Sequence, residues 1–486
     1  MEMRNIPKIA VALTLAVSIL MVAGCSKTGS PNASTSSSAA STTAGSTAAE
    51  PTAIDPASIT GTVNYACYDW DVNNDKPLIQ EFNKIYPNIT VNPVSFPNGN
   101  LTTFLTTQAA SGTLPDMAYG WENINFPISQ GWVLPIDEYL AKDPEYKYLD
   151  ANFMEAYKFN GKTYAVPVAL QFSAILVNLD LIDQLNLDKP SYEWTIDQFK
   201  DLGTKATTDK TSAINHLWDF DDVMNGMYSK DLVQRGYSTK ENKFNFTEGG
   251  FVKAVNLTKE LKAVPGFVSD DLKNQALRDE GKEDDYQKKF GKDADALRES
   301  KVIFGFHGTW DWSWISTMNY KFDFYPLPQD PAVGYREGVH ADHAFLLAGA
   351  KDPQAAYEFM KFKTFGKDGC LVRLEQGKNY VNAEGKPAPS FFIPATSQPE
   401  VIAAFKALEF VPEGIKYMYD NKDKGFRADV YKFVPDYSKV IDEVVRPQID
   451  EVKAGKADAS AIAAELEKKA NDALAEARTK FESTLK

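Results

Sequence analysis

The chain has 486 residues, a formal net charge of −14 at pH 7, three cysteines and eight tryptophans. An acidic chain without a block of Lys and Arg argues against a nucleic-acid binder, because phosphate contacts need clustered cations. It argues equally against a protein held by charge at an anionic membrane. Three cysteines are too few for a disulfide framework and lack the CxxC spacing of metal sites, and a pairing of Cys67 with Cys370 stays open.

The N-terminal segment has the pattern of an exported lipoprotein. Arg4 and Lys8 precede an apolar run over 9–21, which is too short to span a bilayer, and residues 22–25 read VAGC. This tetrapeptide resembles the lipobox of bacterial lipoproteins and predicts that Cys25 is lipidated. A plain signal peptide with an incidental cysteine is the alternative.

These patterns predict a signal peptide over 1–25 and a location outside the cytoplasm. Residues 26–56 are rich in Ser, Thr and Ala and predict a disordered linker, because they cannot bury a core. We therefore expect a protein attached by its N-terminal lipid alone to the outer face of a cell membrane, of the Gram-positive type. The remaining residues, about 430, suffice for two core-bearing lobes.

Strand and helix patterns alternate along the rest of the chain, which is typical of a mostly parallel α/β sheet. In such sheets ligands bind beyond the carboxyl ends of the strands. The candidate contacts are therefore the polar and aromatic residues after the first and third strands: Trp70, Asp71, Trp121, Glu122 and Asn123. The predicted elements are strand 61–67, helix 78–85, strand 89–94, helix 101–110, strand 116–119 and a terminal helix over 457–485.

Several short strings recur in a familiar order. They are SGTLPD at 111–116, GWVLPIDEYL at 131–140, GKTYAVP at 161–167, WTIDQF at 194–199, FGFHGTWDWSW at 304–314 and AAYEFMKF at 355–362. Together they resemble bacterial extracellular solute-binding proteins of family 1, with Val177 where that family usually has Tyr. Asp116 ends the first string and is expected to be structural.

The resemblance implies an α/β, two-lobed periplasmic-binding-protein-like fold with a ligand cleft between the lobes and a hinge. The N-lobe would comprise 57–170 with about 335–385, and the C-lobe 171–334 with about 386–486. By position, Gln171 falls where maltose-binding members have a sugar-contacting acid, and Trp310 where they have a sugar-stacking tryptophan. The further candidate contacts are Trp312, Trp218, Asp219, His340 and Tyr437; core packing is the alternative for the aromatic ones, and His340 is a candidate as a polar residue facing the cleft.

The family resemblance implies a solute-binding lipoprotein of an ABC importer that captures a sugar or oligosaccharide. It would act as a monomer with permease transmembrane subunits as partners, without a cofactor, a metal or catalysis. An exported glycoside hydrolase with an Asp/Glu pair is the rival from another class. The same scaffold binding a non-sugar polar solute is a third possibility.

Two short segments resemble metal sites, and for each of them the sequence also gives a reason against metal binding. Residues 69–75 start like an EF-hand loop, but Asn74 replaces its glycine and Gln80 its bidentate glutamate. His340, Asp342 and His343 could ligate a metal, although such a trio is common by chance.

Overall fold

The computed structural model describes residues 55–97, 100–381 and 386–485. The predicted signal peptide, Cys25 and all but the last two residues of the predicted linker lie outside the described residues. No helix in the described part of the chain is long and apolar enough to cross a membrane.

The strands of the described residues alternate with helices along most of the chain. In chain order they are β1 (Gly61–Tyr68), β2 (Ile89–Phe96), β3 (Met117–Gly120), β4 (Lys158–Phe159), β5 (Lys162–Thr163), β6 (Val166–Asn178), β7 (Ser212–Ile214), β8 (Tyr237–Ser238), β9 (Lys243–Phe244), β10 (Val302–Gly308), β11 (Phe322–Pro326), β12 (Gly338–Leu346) and β13 (Phe426–Arg427).

The helices range from single turns to the 26-residue helix at the C-terminus. They are α1 (Asp71–Asn74), α2 (Lys76–Ile85), α3 (Leu101–Ala110), α4 (Asn125–Ser129), α5 (Asp137–Leu140), α6 (Ala151–Glu155), α7 (Leu179–Gln184), α8 (Ile196–Ala206), α9 (Phe220–Tyr228), α10 (Gly250–Ala263), α11 (Gln275–Asp279), α12 (Asp285–Phe290), α13 (Trp312–Ile315), α14 (Pro353–Lys363), α15 (Lys367–Lys378), α16 (Pro399–Lys406), α17 (Glu413–Asp420), α18 (Tyr437–Val440), α19 (Arg446–Lys453) and α20 (Ala459–Thr484), with a π-helical turn at Ile441–Val445.

One mixed sheet runs through the molecule in the order β2-β1-β3-β12-β6-β10-β7, with β11 beside β6 and β13 beside β12. Strand β6 holds it together. Its first half pairs with β12 (Gln171 opposite His340), and its second half pairs with β10 (Ser173 opposite Gly308). β6 is a nearly continuous apolar run and is buried almost throughout, as expected for a central strand covered on both faces.

The carboxyl ends of β1 and β3 point toward the carboxyl ends of β7 and β10, because the two pairs of strands run in opposite directions. β1 and β3 are parallel and end at Tyr68 and Gly120. β12 is antiparallel to β3, β6 to β12, and β10 to β6, so β10 and its parallel neighbour β7 run opposite to β3. The loops after these four strands therefore converge on the middle of β6 and β12. These two strands connect the two halves of the sheet.

Separate apolar cores lie on the two halves. Tyr65 and Phe82 pack around β1, whereas Trp194 and Phe304 pack around β10 and receive the apolar face of α20. A third cluster lies against the middle of β6 and includes Leu170. The indole of Trp194 donates to the Pro326 carbonyl at 2.8 Å, so this fully buried ring keeps its polar atom satisfied.

The local predictions are confirmed to within a few residues. The helix predicted at 78–85 begins two residues earlier, at Lys76, because Pro77 fits the first helical turn. The strand predicted at 116–119 is β3, and Asp116 lies just before it. The Asp116 carboxylate accepts from the backbone N–H groups of Asn64 and Lys351, so its role is structural as predicted.

Candidate functional site

Four tryptophans follow the four converging strand ends and remain open to solvent. Trp70 follows β1, Trp121 follows β3, Trp218 follows β7 and Trp310 follows β10. Their exposed fractions are 50%, 39%, 71% and 50% respectively. The other four tryptophans of the chain are buried or half-buried. These exposed fractions argue against a buried core position for any of the four.

The wall after β1 and β3 is an aromatic and carboxylate cluster. The ring of Trp70 stacks on Tyr68 with the centroids 4.7 Å apart. The Tyr68 hydroxyl donates to Glu122 Oε2 at 3.1 Å and accepts from the Trp121 backbone N–H at 3.2 Å. Glu122 folds back over Gly120, where a Cβ would lie 2.6 Å from its carboxylate, so a larger residue at the end of β3 would displace this carboxylate. Trp70 and Glu122 are thus held in place from beneath.

Asp71 and Asn123 are engaged within the protein. The Tyr119 hydroxyl donates to the Asp71 carboxylate, and burial raises the pKa of this carboxyl. The Asn123 amide donates to the carbonyls of Tyr431 and Val434 at 2.5 and 3.1 Å. Asn123 therefore links the loop after β3 to the segment after β13. Its side-chain carbonyl oxygen accepts from the Asn125 N–H.

The floor of the site is built from the crossing strands. Gln171 Oε1 accepts from the Thr309 hydroxyl at 2.5 Å, and Ser173 Oγ is 2.8 Å from His340 Nε2. The ring of Trp310 meets His340 edge-on, with the centroids 4.9 Å apart. Burial lowers the pKa of His340 to about 3, so this imidazole is neutral at physiological pH. The floor therefore joins Gln171, His340 and Trp310, three residues predicted from separate motifs.

The wall after β7 and β10 contains two imidazoles. His216 stacks on Trp218 at 4.5 Å and lies edge-on to His307 at 5.4 Å. The Asn215 amide donates to His307 Nε2 at 3.0 Å, so the proton is on Nδ1, which faces Asp311 at 3.1 Å. Burial lowers the pKa of His216 to about 4. The rings of His216 and His307 border a cavity of about 380 Å³ that also reaches Trp314.

A smaller cavity, of about 150 Å³, lies beside Asp219 and contains residues that sequence reasoning missed. Arg235 and Arg446 both line it and both ion-pair with Asp219, at 3.0 and 3.2 Å. Asp219 and Arg235 have φ values of 55° and 51°, a left-handed conformation that is uncommon away from glycine. Three distant chain segments supply this group, and no local pattern in the sequence relates them.

Trp312 and Tyr437 are more enclosed than the four exposed tryptophans. Trp312 lies two residues after Trp310 but packs on Phe391 at 5.0 Å, and its indole donates to the Pro389 carbonyl. Tyr437 is 2% exposed, stacks on Phe244 and donates to the Gln234 carbonyl at 3.0 Å. The ring of Tyr437 therefore packs with the core, and the residue also borders the cavity beside Asp219.

A buried network of charges lies beneath the floor. Lys432 bonds Asp342 at 2.9 Å and lies 3.6 Å from Asp429, which also forms a bidentate pair with Arg427. His343 is fully buried and neither ring nitrogen has a hydrogen-bond partner among the described residues. Asp342 is thus already paired with Lys432, and His343 is enclosed by the core. Across 55–97, 100–381 and 386–485, no three His, Cys, Asp or Glu side chains are placed to hold a metal ion.

The two cysteines of the described chain, Cys67 and Cys370, are free thiols. Each is buried, Cys67 in the core around β1 and Cys370 in the cluster against the middle of β6. The pairing left open by the sequence is not formed.

The sequence matches the family model of bacterial extracellular solute-binding proteins over residues 72–364. A multiple sugar-binding protein of Streptococcus mutans is 25% identical over 329 residues, covering 64% of this chain and 71% of that protein. A putative binding protein of Brucella abortus is 28% identical over 123 residues, which cover 24% of this chain and 30% of its relative.

Solved structures share the fold at low sequence identity. An ABC substrate-binding protein from Listeria monocytogenes in complex with cycloalternan has a TM-score of 0.63 and 17% identity, covering 86% of this chain and 99% of that one. The sugar-binding protein MalE from Xanthomonas citri has a TM-score of 0.64 and 14% identity, covering 87% and 99%. The fold is accordingly two α/β lobes with a cleft between them and a hinge. This chain belongs to the bacterial extracellular solute-binding protein family.

Proposed function

We propose that this protein is the solute-binding lipoprotein of an ABC importer and captures a sugar or oligosaccharide between its lobes. The observation that carries the proposal is the set of four exposed tryptophans at converging strand ends. Large apolar faces are costly to leave in water, and the C–H faces of sugar rings are a matching surface. The names of the relatives and neighbours, which concern sugars, point the same way.

Polar groups of the site match the hydroxyls of such a ligand. Gln171 has an amide that can both donate and accept, and Glu122 offers a carboxylate fixed by Tyr68. The two arginines beside Asp219 supply further donors. Capture would bring the two walls together over the crossing strands and exclude water, so that ligand shifts an open–closed population toward the closed form.

The lobes are assigned from the resemblance: 57–170 with about 335–385 forms the N-lobe, and 171–334 with about 386–486 the C-lobe. Support comes from the separate cores on the two halves of the sheet. β6 and β12 would be the crossing strands, and a register irregularity between Asp342 and His343 offers a point of bending.

The anchor and the partner complete the proposal. Lipidation at Cys25 would keep the monomeric binder near the permease subunits that receive its cargo. Expression of the Cys25→Ser variant in a Gram-positive host tests the anchor. The variant should move from the membrane fraction to the medium; an unmodified Cys25 in the wild-type protein, by mass spectrometry, would refute lipidation.

A saccharide titration tests the central claim. The purified protein is titrated calorimetrically with mono-, di- and oligosaccharides, and the mixtures are then separated by chromatography. Saturable binding with unchanged saccharide is the expected result. Saccharide cleavage would overturn the binding role in favour of a glycoside hydrolase. Binding only of a non-sugar solute, in a parallel panel of polyamines and amino acids, would overturn the sugar assignment.

A further inference from the structure

A third and larger cavity lies apart from the tryptophan-lined site. Its volume is about 980 Å³, and segments 152–160, 230–242, 425–435 and 478–485 contribute most of its lining. None of the four exposed tryptophans, and none of the polar residues of the floor, lines it. The volume is at the upper end of what small-molecule sites occupy, roughly 300–1,000 Å³. We call it the basic cavity.

Basic side chains outnumber acidic ones in this cavity, although the whole chain carries a net charge of −14. Three acidic residues line it, and one of them, Glu155, is already paired with Lys158 at 2.8 Å on the rim. The six basic residues that line it are Lys158, Lys230, Lys240, Arg336, Arg427 and Arg478. The cavity is therefore a local region of positive charge on an acidic protein.

Arg336 is the strongest indication of an anion-binding role for this cavity. It is only 8% exposed, and it ion-pairs with no carboxylate in the described part of the chain. Its guanidinium donates to the Ser229 carbonyl and lies 4.8 Å from the centre of the Phe426 ring. Burial lowers its pKa to about 10, which leaves it charged at physiological pH. The nearby charge of Asp231, which also lines the cavity, acts on Arg336 without forming an ion pair. A buried charge that lacks a directly bonded partner is costly, and an anion in the cavity would offset that cost.

Arg478 presents a second guanidinium to the same cavity, from the last turns of α20. It donates to the Asn242 carbonyl and the Tyr237 hydroxyl, both neutral, and makes no ion pair with the residues described. Arg427, by contrast, is neutralised by Asp429. Two arginines from different elements thus share one cavity with no carboxylate bound to either. Planar guanidinium groups are the side chains best suited to phosphate and carboxylate.

We propose that the basic cavity is a second binding site, for a small organic anion that carries phosphate or carboxylate groups, with Arg336 and Arg478 as its anchors. The volume exceeds what a bare inorganic ion would fill. Phe433 and Phe481 also line the cavity and offer apolar surface to the rest of such a molecule.

Calorimetric titration with three probes tests the site: inorganic phosphate, citrate and glucose 6-phosphate. Citrate or glucose 6-phosphate should bind saturably at low ionic strength, and phosphate more weakly. Preference for citrate would assign carboxylate chemistry, and preference for glucose 6-phosphate would assign phosphate chemistry. No saturable binding of any of the three would overturn the proposal.

Variants locate the binding. Arg336→Gln and Arg478→Gln should each lower the affinity for the best-binding probe at least tenfold. Lys468→Gln is the matched control, because it removes the same charge from an exposed position on the same helix and should bind like the wild type. Equal weakening by all three variants, or wild-type binding by both arginine variants, would refute the site. Arg478 is only half-buried, so its variant remains informative if Arg336→Gln fails to fold.

The proposal stands independently of sugar binding. Trp310→Ala, outside the basic cavity, should bind the anion with wild-type affinity even where it has lost its saccharide. Loss of anion binding in Trp310→Ala would show that the anion occupies the tryptophan-lined site and would contradict the inference.

Discussion

Replacing Trp310 by alanine should remove most of the saccharide affinity while costing the fold little. Half of this side chain is exposed, and an aromatic side chain buries roughly 150–250 Å² when fully covered. A ligand that covers the exposed half therefore removes about 100 Å² of apolar surface from water. At about 25 cal/mol per Å² this amounts to about 2.5 kcal/mol, or roughly a 70-fold increase in Kd.

The cost to folding should be smaller, because only one face of the ring packs within the protein. That face covers Gly308 and meets His340 edge-on. Since losing a fully buried tryptophan costs about 3–5 kcal/mol, we expect about 1–2 kcal/mol here. Calorimetry with the best saccharide measures the first quantity, and urea denaturation without ligand measures the second.

Trp312→Ala is the matched control, since it removes the same side chain two residues further on. Trp312 packs on Phe391 and bonds the Pro389 carbonyl, so its loss should lower stability more than that of Trp310 and leave the Kd within about threefold. The reasoning fails if Trp310→Ala binds saccharide like the wild type. It also fails if the two variants exchange roles, with Trp312→Ala losing affinity and Trp310→Ala losing stability.

Three further predictions concern the strand end, the charges and the imidazoles. Gly308→Ala would place a Cβ 2.2 Å from the Trp310 ring, so the ring must move; we expect at least tenfold weaker saccharide binding by calorimetry, and unchanged affinity would refute the packing. Lys432→Met leaves Asp342 and Asp429 without their lysine and should cost about 3–5 kcal/mol in urea denaturation; a loss below 1 kcal/mol would contradict a buried network. Burial lowers the pKa of His343 to about 3 against an ordinary value of 6.5, so below about pH 6.5 the unfolded chain takes up a proton that the folded chain refuses. Stability should therefore fall as the pH drops, by about 2 kcal/mol from this residue at pH 5, and His343→Phe should show a shallower pH dependence; equal slopes would refute it.

The local elements were predictable because their signals are local. The apolar spacing of α2 and the alternation of β2 each follow from burying one face, and both are found where the pattern places them. The positions of Trp70 and Trp121 after strands were predictable for the same reason. Whether those rings are exposed was not, since exposure depends on which distant segments cover them.

Long-range placement explains what sequence reasoning left out. Arg235 and Arg446 meet at Asp219 although they are far apart in the chain, so no spacing pattern relates them. Trp310 and Trp312 look equivalent in the sequence, yet the turn that starts α13 directs one to solvent and the other into a core. The burial of Tyr437 was not predictable for the converse reason, because Phe244 comes from a separate hairpin and stacks on its ring.

The single strand β6 has a consequence for how this protein unfolds. Its thirteen residues supply hydrogen bonds to β12 at one end and to β10 and β11 at the other. Unfolding of either half of the sheet would remove the hydrogen-bond partners from one end of β6, and the other half depends on the same strand. Two apolar cores therefore share one backbone ladder, and they should lose their structure in a single cooperative transition instead of two.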